Sequence, residues 1–439
     1  MTHAFNLSKP KLIFTSSFAG EKVLNVVKSL NYIKNVILVE DRNVFDDSVI
    51  LYKTFLSNPK CVNCLSVFVP APVDKAATVC LILCSSGTTG LPKGVQLSQA
   101  NLIVGTRFTK QTVLDISDIP QDERIILGII PWFHAFGFLT LVAVTISTSA
   151  KIVFLPKFEE GLFLSCVENY KTSILFMVPP LMVFLAKHPM VDGYDTSSIQ
   201  TIICGAAPLS KELELAVKSR LKNKNVQIRQ GYGMSELTLS VLLQKKICKP
   251  GSVGDINAGS TVKVIDEAGN SLGANKPGEL CFKGNQLMVG YIGNEAATQD
   301  IIDDHGWLHT GDIGYYDEDK QFFIIDRIKE LIKYKGFQVP PAEIEAILLQ
   351  HPNIQDAAVI GIPDELAGEL PLAFVVKIPG KEITKEEIIK FVAKVASPAK
   401  RLHGGVWFVT EIPKNPSGKI LRRELRDLVK NTKNLKSKL

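Results

Sequence analysis

The order of apolar runs predicts an α/β protein: a large N-terminal domain of α/β sheet layers with a small β-barrel-like unit, then a small α+β C-terminal domain. Three successive textures support this. Up to residue 222, short β-rich runs alternate with helical patterns, as in a mostly parallel sheet with helices on its faces. From residue 249, short strands are separated by Gly, Asn and Asp turns, the pattern of a small antiparallel or barrel-like unit. Beyond residue 327, strands and helices alternate again over a length that suits one compact α+β domain.

In chain order, runs at 11–15 and 36–39 read as strands around a helical pattern at 21–30, a βαβ opening. A strand at 78–84 precedes a helix that starts at Ser98. Further strands are expected at 124–131, 151–155, 173–178 and 201–204, with helices at 160–170 and 211–222. The turn-rich region carries strands at 261–265, 279–283 and 321–325. The last block reads as helices 341–349 and 384–395 among strands 356–360, 373–378 and 406–409, with no internal repeat.

Composition narrows the function classes. With 46% hydrophobic and 21% charged residues, 31 Gly and 23 Pro in 439 positions, the chain is neither disordered, collagen-like nor a coiled coil. Its best membrane candidate, 137–150, is broken by Thr and Ser and shorter than the ~18 residues of a spanning helix, so no integral membrane segment is expected. The first ten residues lack a basic stretch followed by a continuous apolar one, so no secretory signal is expected. Eight cysteines are too sparse for a disulfide framework, and Cys80, Cys84, Cys166 and Cys204 lie in apolar runs where a small thiol packs as an apolar group. A reducing compartment follows. The lone Cys61–Cys64 pair lacks the partners of a zinc site and reads as structural or incidental. The whole net charge of +6 sits in residues 419–439, with eight Lys or Arg against Glu424 and Asp427. That tail reads as a solvated helix end, and without a basic stripe on the body no nucleic-acid partner is expected.

The strongest local signal is SSGTTGLPKG, Ser85 to Gly94, directly after the apolar strand. Small hydroxyl and Gly residues let backbone N–H groups approach phosphate oxygens, and Lys93 adds a mobile positive charge. It is not the loop of P-loop NTPases: only two residues, not four, separate Gly87 from Gly90, and Gly94 rather than Ser or Thr follows Lys93.

With PWFHAFG (131–137), GAAPLS (205–210), QGYGMSE (230–236), GWLHTGD (306–312), DRIKELIKYKGFQVPPAEIE (326–345) and PKNPSGKILRREL (413–425), the chain resembles the adenylate-forming superfamily of acyl-CoA synthetases, 4-coumarate:CoA ligases and beetle luciferases. The motifs occur in the family's order and nearly span the chain. The resemblance implies an AMP-binding domain over 1–326, N-terminally incomplete because family members carry a further segment before the position of Met1, and an associated C-terminal domain over 327–439 on a hinge at Asp326/Arg327.

By the same resemblance the substrates are ATP, CoA and a small-molecule carboxylic acid. Ser85, Ser86, Gly87, Thr88, Thr89 and Lys93 would meet the phosphates, and Gly205, Ala206, Ala207, Gln230, Gly231, Tyr232, Gly233 and Ser235 would surround AMP, with the Tyr232 ring on adenine. Glu236 corresponds to the Mg²⁺ ligand, an oxygen donor suited to a hard cation. Asp312 would accept both ribose hydroxyls, with Arg327 beside the ribose or phosphate. Lys419 would serve adenylation, and Lys333 with the backbone at Gly336 would serve thioester formation after the C-terminal domain rotates. His134 falls beside the acyl carboxylate and CoA entry, and Phe136, Gly205, Gly231, Gly233 and Leu239 along the acyl chain.

The expected activity is that of an AMP-forming acyl-CoA ligase for a medium- or long-chain fatty acid. An aryl acid ligase, a luciferase-type monooxygenase and a weakened nucleotide- or acyl-binding protein stay open as alternatives. Ser437-Lys438-Leu439 resembles a peroxisomal signal and implies a peroxisomal location and import-receptor partner.

Overall fold

The computed structural model describes every residue except 43, 46, 47, 58–68, 86–90, 114–118, 246–248 and 437–439. Ser86, Gly87, Thr88 and Thr89, the Cys61–Cys64 pair and the terminal Ser437-Lys438-Leu439 therefore lie outside the described residues. The chain divides into two compact units, residues 1–100 with 288–298 and residues 101–287 with 299–439.

In the first unit, strands Leu12–Thr15, Asn35–Leu38 and Val49–Leu51 form a parallel sheet. Helix Ser17–Val27 packs on it through Val23 against Ile13, Val36 and Leu38, which is the expected βαβ opening with the helix starting earlier. Strand Val79–Ser85 pairs antiparallel with Lys93–Ser98, whose other edge takes Gly290–Tyr291. Lys93–Ser98 went unpredicted because its residues read as loop end and helix start. Cys80 and Cys84 are exposed, which corrects their reading as buried packing thiols, whereas Cys166 and Cys204 are buried. The physical reason is the strand's period of two, which puts 80 and 84 on one and the same side.

The second unit is built on a seven-stranded sheet in the order Asp255–Ile256, Leu239–Leu243, Gln227–Met234, Thr201–Cys204, Ile174–Met177, Ile125–Gly128, Lys151–Phe154. The last five are parallel and the first two run antiparallel at one edge. The central strands Ile174–Met177 and Thr201–Cys204 are almost wholly apolar and buried at every position, as burial on both faces demands. Helices Glu160–Asn169, Pro179–Lys187 and Lys211–Arg220 close one face around Phe163, Leu185 and Val217. Ser210 starts the last of them by accepting from Leu213 N–H.

The turn-rich region is a four-stranded antiparallel sheet, Ser260–Ile265, Gly278–Gly284, Leu308–Tyr316 and Phe322–Arg327. After it, Phe337–Val339, Ile332–Tyr334, Gly368–Lys377 and Ile354–Asp364 form a sheet that Gly405–Phe408 joins in parallel, covered by helices Pro341–Leu348 and Lys385–Val395. The molecule is thus a mixed α/β structure with a large N-terminal and a small C-terminal domain. No helix among the described residues is long and apolar enough to cross a membrane.

Candidate functional site

A cavity in the second unit lies between helix Pro179–Lys187, the Ala206–Ser210 loop, Tyr232 and the segments bearing Asp312, Arg327 and Lys419. Its chemistry centres on Asp312. This residue, expected from the resemblance to accept the ribose hydroxyls, sits on strand Leu308–Tyr316 and is buried. The preceding Gly311 adopts a φ of +69°, a left-handed bend that glycine takes without strain.

Tyr232 donates its phenolic hydrogen to Asp312 Oδ2 at 2.7 Å, and Arg327 Nε lies 3.3 Å from Oδ1. The guanidinium contact is an ion pair but not an aligned hydrogen bond, and Oδ1 accepts no hydrogen bond among the described residues. Burial pushes the Asp312 carboxyl up from its usual range, while Arg327, Tyr232 and Lys419 pull it back. Burial and the adjoining carboxylate hold the Tyr232 phenol well above its usual value, so it remains a donor.

Lys419 enters from a turn in which Asn415 Oδ1 accepts from its backbone N–H. Gly418 has a φ of +81°, and a Cβ there would lie 3.0 Å from Val178 Cγ2, so the turn leans on the end of the parallel sheet. Burial, reinforced by Arg327, draws the Lys419 ammonium down to about 8 against the opposing pull of Asp312.

Two family models match: AMP-binding enzyme over residues 1–292 and AMP-binding enzyme C-terminal domain over 343–419. The chain belongs to the AMP-binding enzyme family. The luciferin 4-monooxygenase of Photinus pyralis is 43% identical over 444 residues, covering 100% of this chain and 80% of its own length. The 4-coumarate:CoA ligase 1 of Petunia hybrida is 46% identical over 350 residues, covering 78% of this chain and 63% of its own. The solved anthranilate CoA ligase AuaEII in complex with anthranoyl-AMP shares the fold, with a TM-score of 0.87 at 21% identity over 99% of this chain and 81% of that one. This AMP-binding enzyme is therefore a member of the adenylate-forming acyl/aryl-CoA ligase superfamily.

The enzyme brings Ala206, Ala207, Gly231, Tyr232, Gly233, Asp312, Arg327 and Lys419 to one cavity. Gly233 is held to glycine by geometry: a Cβ there would fall 1.5 Å from the Leu239 carbonyl oxygen, across the bulge between these strands. Leu239 itself adopts a φ of +82° and Thr238 one of +50°, a strained pair directly after the buried Ser235–Leu237 turn. The Gln230 side chain does not reach the cavity; it donates to Glu214 Oε2 at 2.9 Å. Glu236 and Ser235 are buried.

Phe136 meets Phe176 edge to face, and a Cβ at Gly205 would approach the Phe136 ring at 3.9 Å. Leu239 packs on this same cluster with Leu243. His134 Nδ1 accepts from Phe136 N–H at 3.2 Å, and burial lowers the imidazole below its usual value. The neutral ring therefore carries its proton on Nε2. Lys333 stands apart from Lys419: it is exposed on strand Ile332–Tyr334, with Gly336 in the turn beyond at a φ of +82°. In the first unit, Ser85 and Lys93 are register partners, and the Lys93 ammonium lies 4.6 Å from the centre of the Tyr291 ring.

Sequence reasoning missed the groups that hold Asp312 in place. Glu279, Cys281 and His309 put ligand-capable atoms within 4.8 Å of one another, the one such trio among the described residues. They already satisfy each other. His309 Nδ1 lies 3.1 Å from Glu279 Oε2, Nε2 lies 3.5 Å from Asp303, and Glu279 Oε1 accepts from Gly311 N–H at 2.9 Å. Burial, helped by Glu279, pushes the Cys281 thiol up to about 12, so it stays protonated. The trio buttresses the turn that presents Asp312. Also missed was the buried pair Arg422–Glu345, in which Arg422 Nη2 donates to both carboxylate oxygens at 2.7 and 2.9 Å, with Glu345 Oε1 further accepting from Val359 N–H.

Proposed function

We propose that the enzyme is an AMP-forming acyl-CoA ligase that activates a medium- or long-chain fatty acid through an acyl-adenylate. The carrying observation is the buried Asp312, which lines the cavity together with Arg327 and Lys419 and whose Oδ1 accepts no hydrogen bond among the described residues. A carboxylate so placed suits a pair of ribose hydroxyls, and the cations suit the charge that grows at the α-phosphate. In the first half-reaction the acid's carboxylate oxygen attacks the α-phosphorus of ATP and pyrophosphate leaves; Lys419 offsets the repulsion between the two anions. In the second, the CoA thiolate attacks the acyl carbon and AMP leaves. His134 Nε2–H is the donor left to orient the acyl carboxylate. Glu236, a buried carboxylate, would supply an oxygen ligand to Mg²⁺, a cation that draws most of its ligands from phosphate and water. When bound, Mg²⁺ would neutralise phosphate charge.

ATP–pyrophosphate exchange across a panel of alkyl and aryl acids, followed by CoA-thioester formation, tests the reading. Exchange with fatty acids is expected. Absence of exchange with every acid would favour a nucleotide- or acyl-binding protein.

The Lys419 value sets a pH dependence. Its ammonium is lost as pH rises through about 8, so kcat/KM for ATP in exchange, which reports the free enzyme, should fall above pH 8. A profile flat to pH 9.5 would rule out a catalytic Lys419 cation. The alkyl reading is supported by Leu239, which by resemblance falls along the acyl chain, offers no hydroxyl and packs on an apolar cluster with Phe136 and Leu243. Negligible light with luciferin, ATP and oxygen is expected, with Leu239→Ser raising any trace; bright emission from the unaltered enzyme would reverse the assignment. A peroxisomal location, supported by Ser437-Lys438-Leu439, is tested by whether removing those three residues sends the protein to the cytosol.

A further inference from the structure

Helix Pro179–Lys187 and helix Pro341–Leu348 face each other across the cavity. Pro179 and Val183 look in from the first, four residues apart, and Ala342, Glu345, Ala346 and Leu349 from the second and its end. The same stripe of the first helix ends at Lys187, whose ammonium donates to the carbonyl oxygens of His351 at 3.1 Å and Ile354 at 2.9 Å. His351 lies three residues past the end of the second helix and Ile354 is the first residue of strand Ile354–Asp364, so one ammonium ties down the connection between these two elements. At the opposite side of the cavity, Gly418 rests against Val178 and Pro180. The C-terminal domain is therefore held at two points, one polar and one packed, and Lys419 sits beside the packed one.

We propose that Lys187 is a positioning residue that latches the C-terminal domain in the arrangement that delivers Lys419 to the cavity. The idea rests on the ligase reading above, in which this domain must swing to exchange Lys419 for Lys333. A latch for such a cycle must hold and release. Two charge-assisted hydrogen bonds hold it, while burial of the ammonium, which draws Lys187 down to about 8, opposes them. When the domain leaves, the ammonium recovers its water and the carbonyls theirs, so the net bias stays small enough to be reversed in every turnover.

The test compares Lys187→Met, which keeps the apolar stem and removes the charge, with Lys187→Arg, which keeps the charge. Hydroxyl-radical footprinting of the full chain without substrate should show Val183 and Leu349 oxidised more than twofold faster in the Met variant and near the unaltered rate in the Arg variant. Val375, fully buried in the C-terminal sheet, should stay unreactive in both and reports any unfolding. The Met variant should also lose about tenfold in pyrophosphate exchange, the size of the hydrogen-bond loss less the recovered hydration. Thioester formation from supplied acyl-adenylate should be unchanged or faster. Unchanged footprints at Val183 and Leu349, or equal loss in both half-reactions, would overturn the latch. Absence of exchange in the unaltered enzyme would defeat the ligase reading instead, and the footprint would still decide the latch.

Discussion

Lys419→Ala is expected to lower ATP–pyrophosphate exchange roughly 10²–10³-fold while leaving thioester formation from supplied acyl-adenylate within about twofold, and Lys333→Ala to do the reverse. The structure shows why the two should separate. Lys419 is enclosed beside Arg327 and Asp312, whereas Lys333 is exposed on a strand of the C-terminal sheet and lines no part of that cavity. On the proposed ligase reading, this arrangement presents one lysine and movement would bring the second. Exchange is the measurement of choice because it sees adenylation without CoA. Equal loss of both half-reactions in both variants would show that a single arrangement carries the whole reaction.

Arg422→Ala should destabilise the C-terminal domain by roughly 3–5 kcal/mol in urea unfolding at pH 8, because it strands a buried carboxylate. Both side chains of the Arg422–Glu345 pair are only 10% exposed, and burial already pushes the Glu345 carboxyl upward while Arg422 holds it back. Without the guanidinium, Glu345 titrates still higher in the folded chain than in the unfolded one. A raised folded value favours folding below the unfolded pKa, and that advantage is lost as pH climbs through the folded one. The penalty should therefore be smaller at pH 5 than at pH 8. The double variant Arg422→Met with Glu345→Leu should recover much of the loss, and a single variant as stable as the parent would show the pair contributes nothing.

The sequence makes the parallel sheet legible because burial on both faces writes strands such as Ile174–Met177 as unbroken apolar runs. Strand Lys93–Ser98 is hidden by the glycine and lysine that start it. The roles of Asp312 and Tyr232 are readable only through their motifs, since the hydrogen bond joining them spans 80 residues. Gly233 is conspicuous as a glycine, but the carbonyl that forbids a side chain belongs to Leu239 on the neighbouring strand. Lys187 gives no signal at all. A lysine at the end of a helix reads as solvated, and only the approach of residues 351–354 gives it partners.

The wiring behind the domain junction constrains how such enzymes can be recombined. Asp326 accepts from Ala342 N–H at 2.9 Å, Arg426 binds Glu330 at 2.7 Å, and Arg422 binds Glu345. Residues 326–330, 341–345 and 422–426 thus form one interlocked joint assembled from three stretches of chain. A chimaera spliced between Glu330 and Pro341 would divide this joint between two parents and could leave a carboxylate without its arginine. A crossover upstream of Asp326 transfers all three stretches together. Shuffled libraries should accordingly yield their folded members with breakpoints before Asp326, however similar the parents are in between.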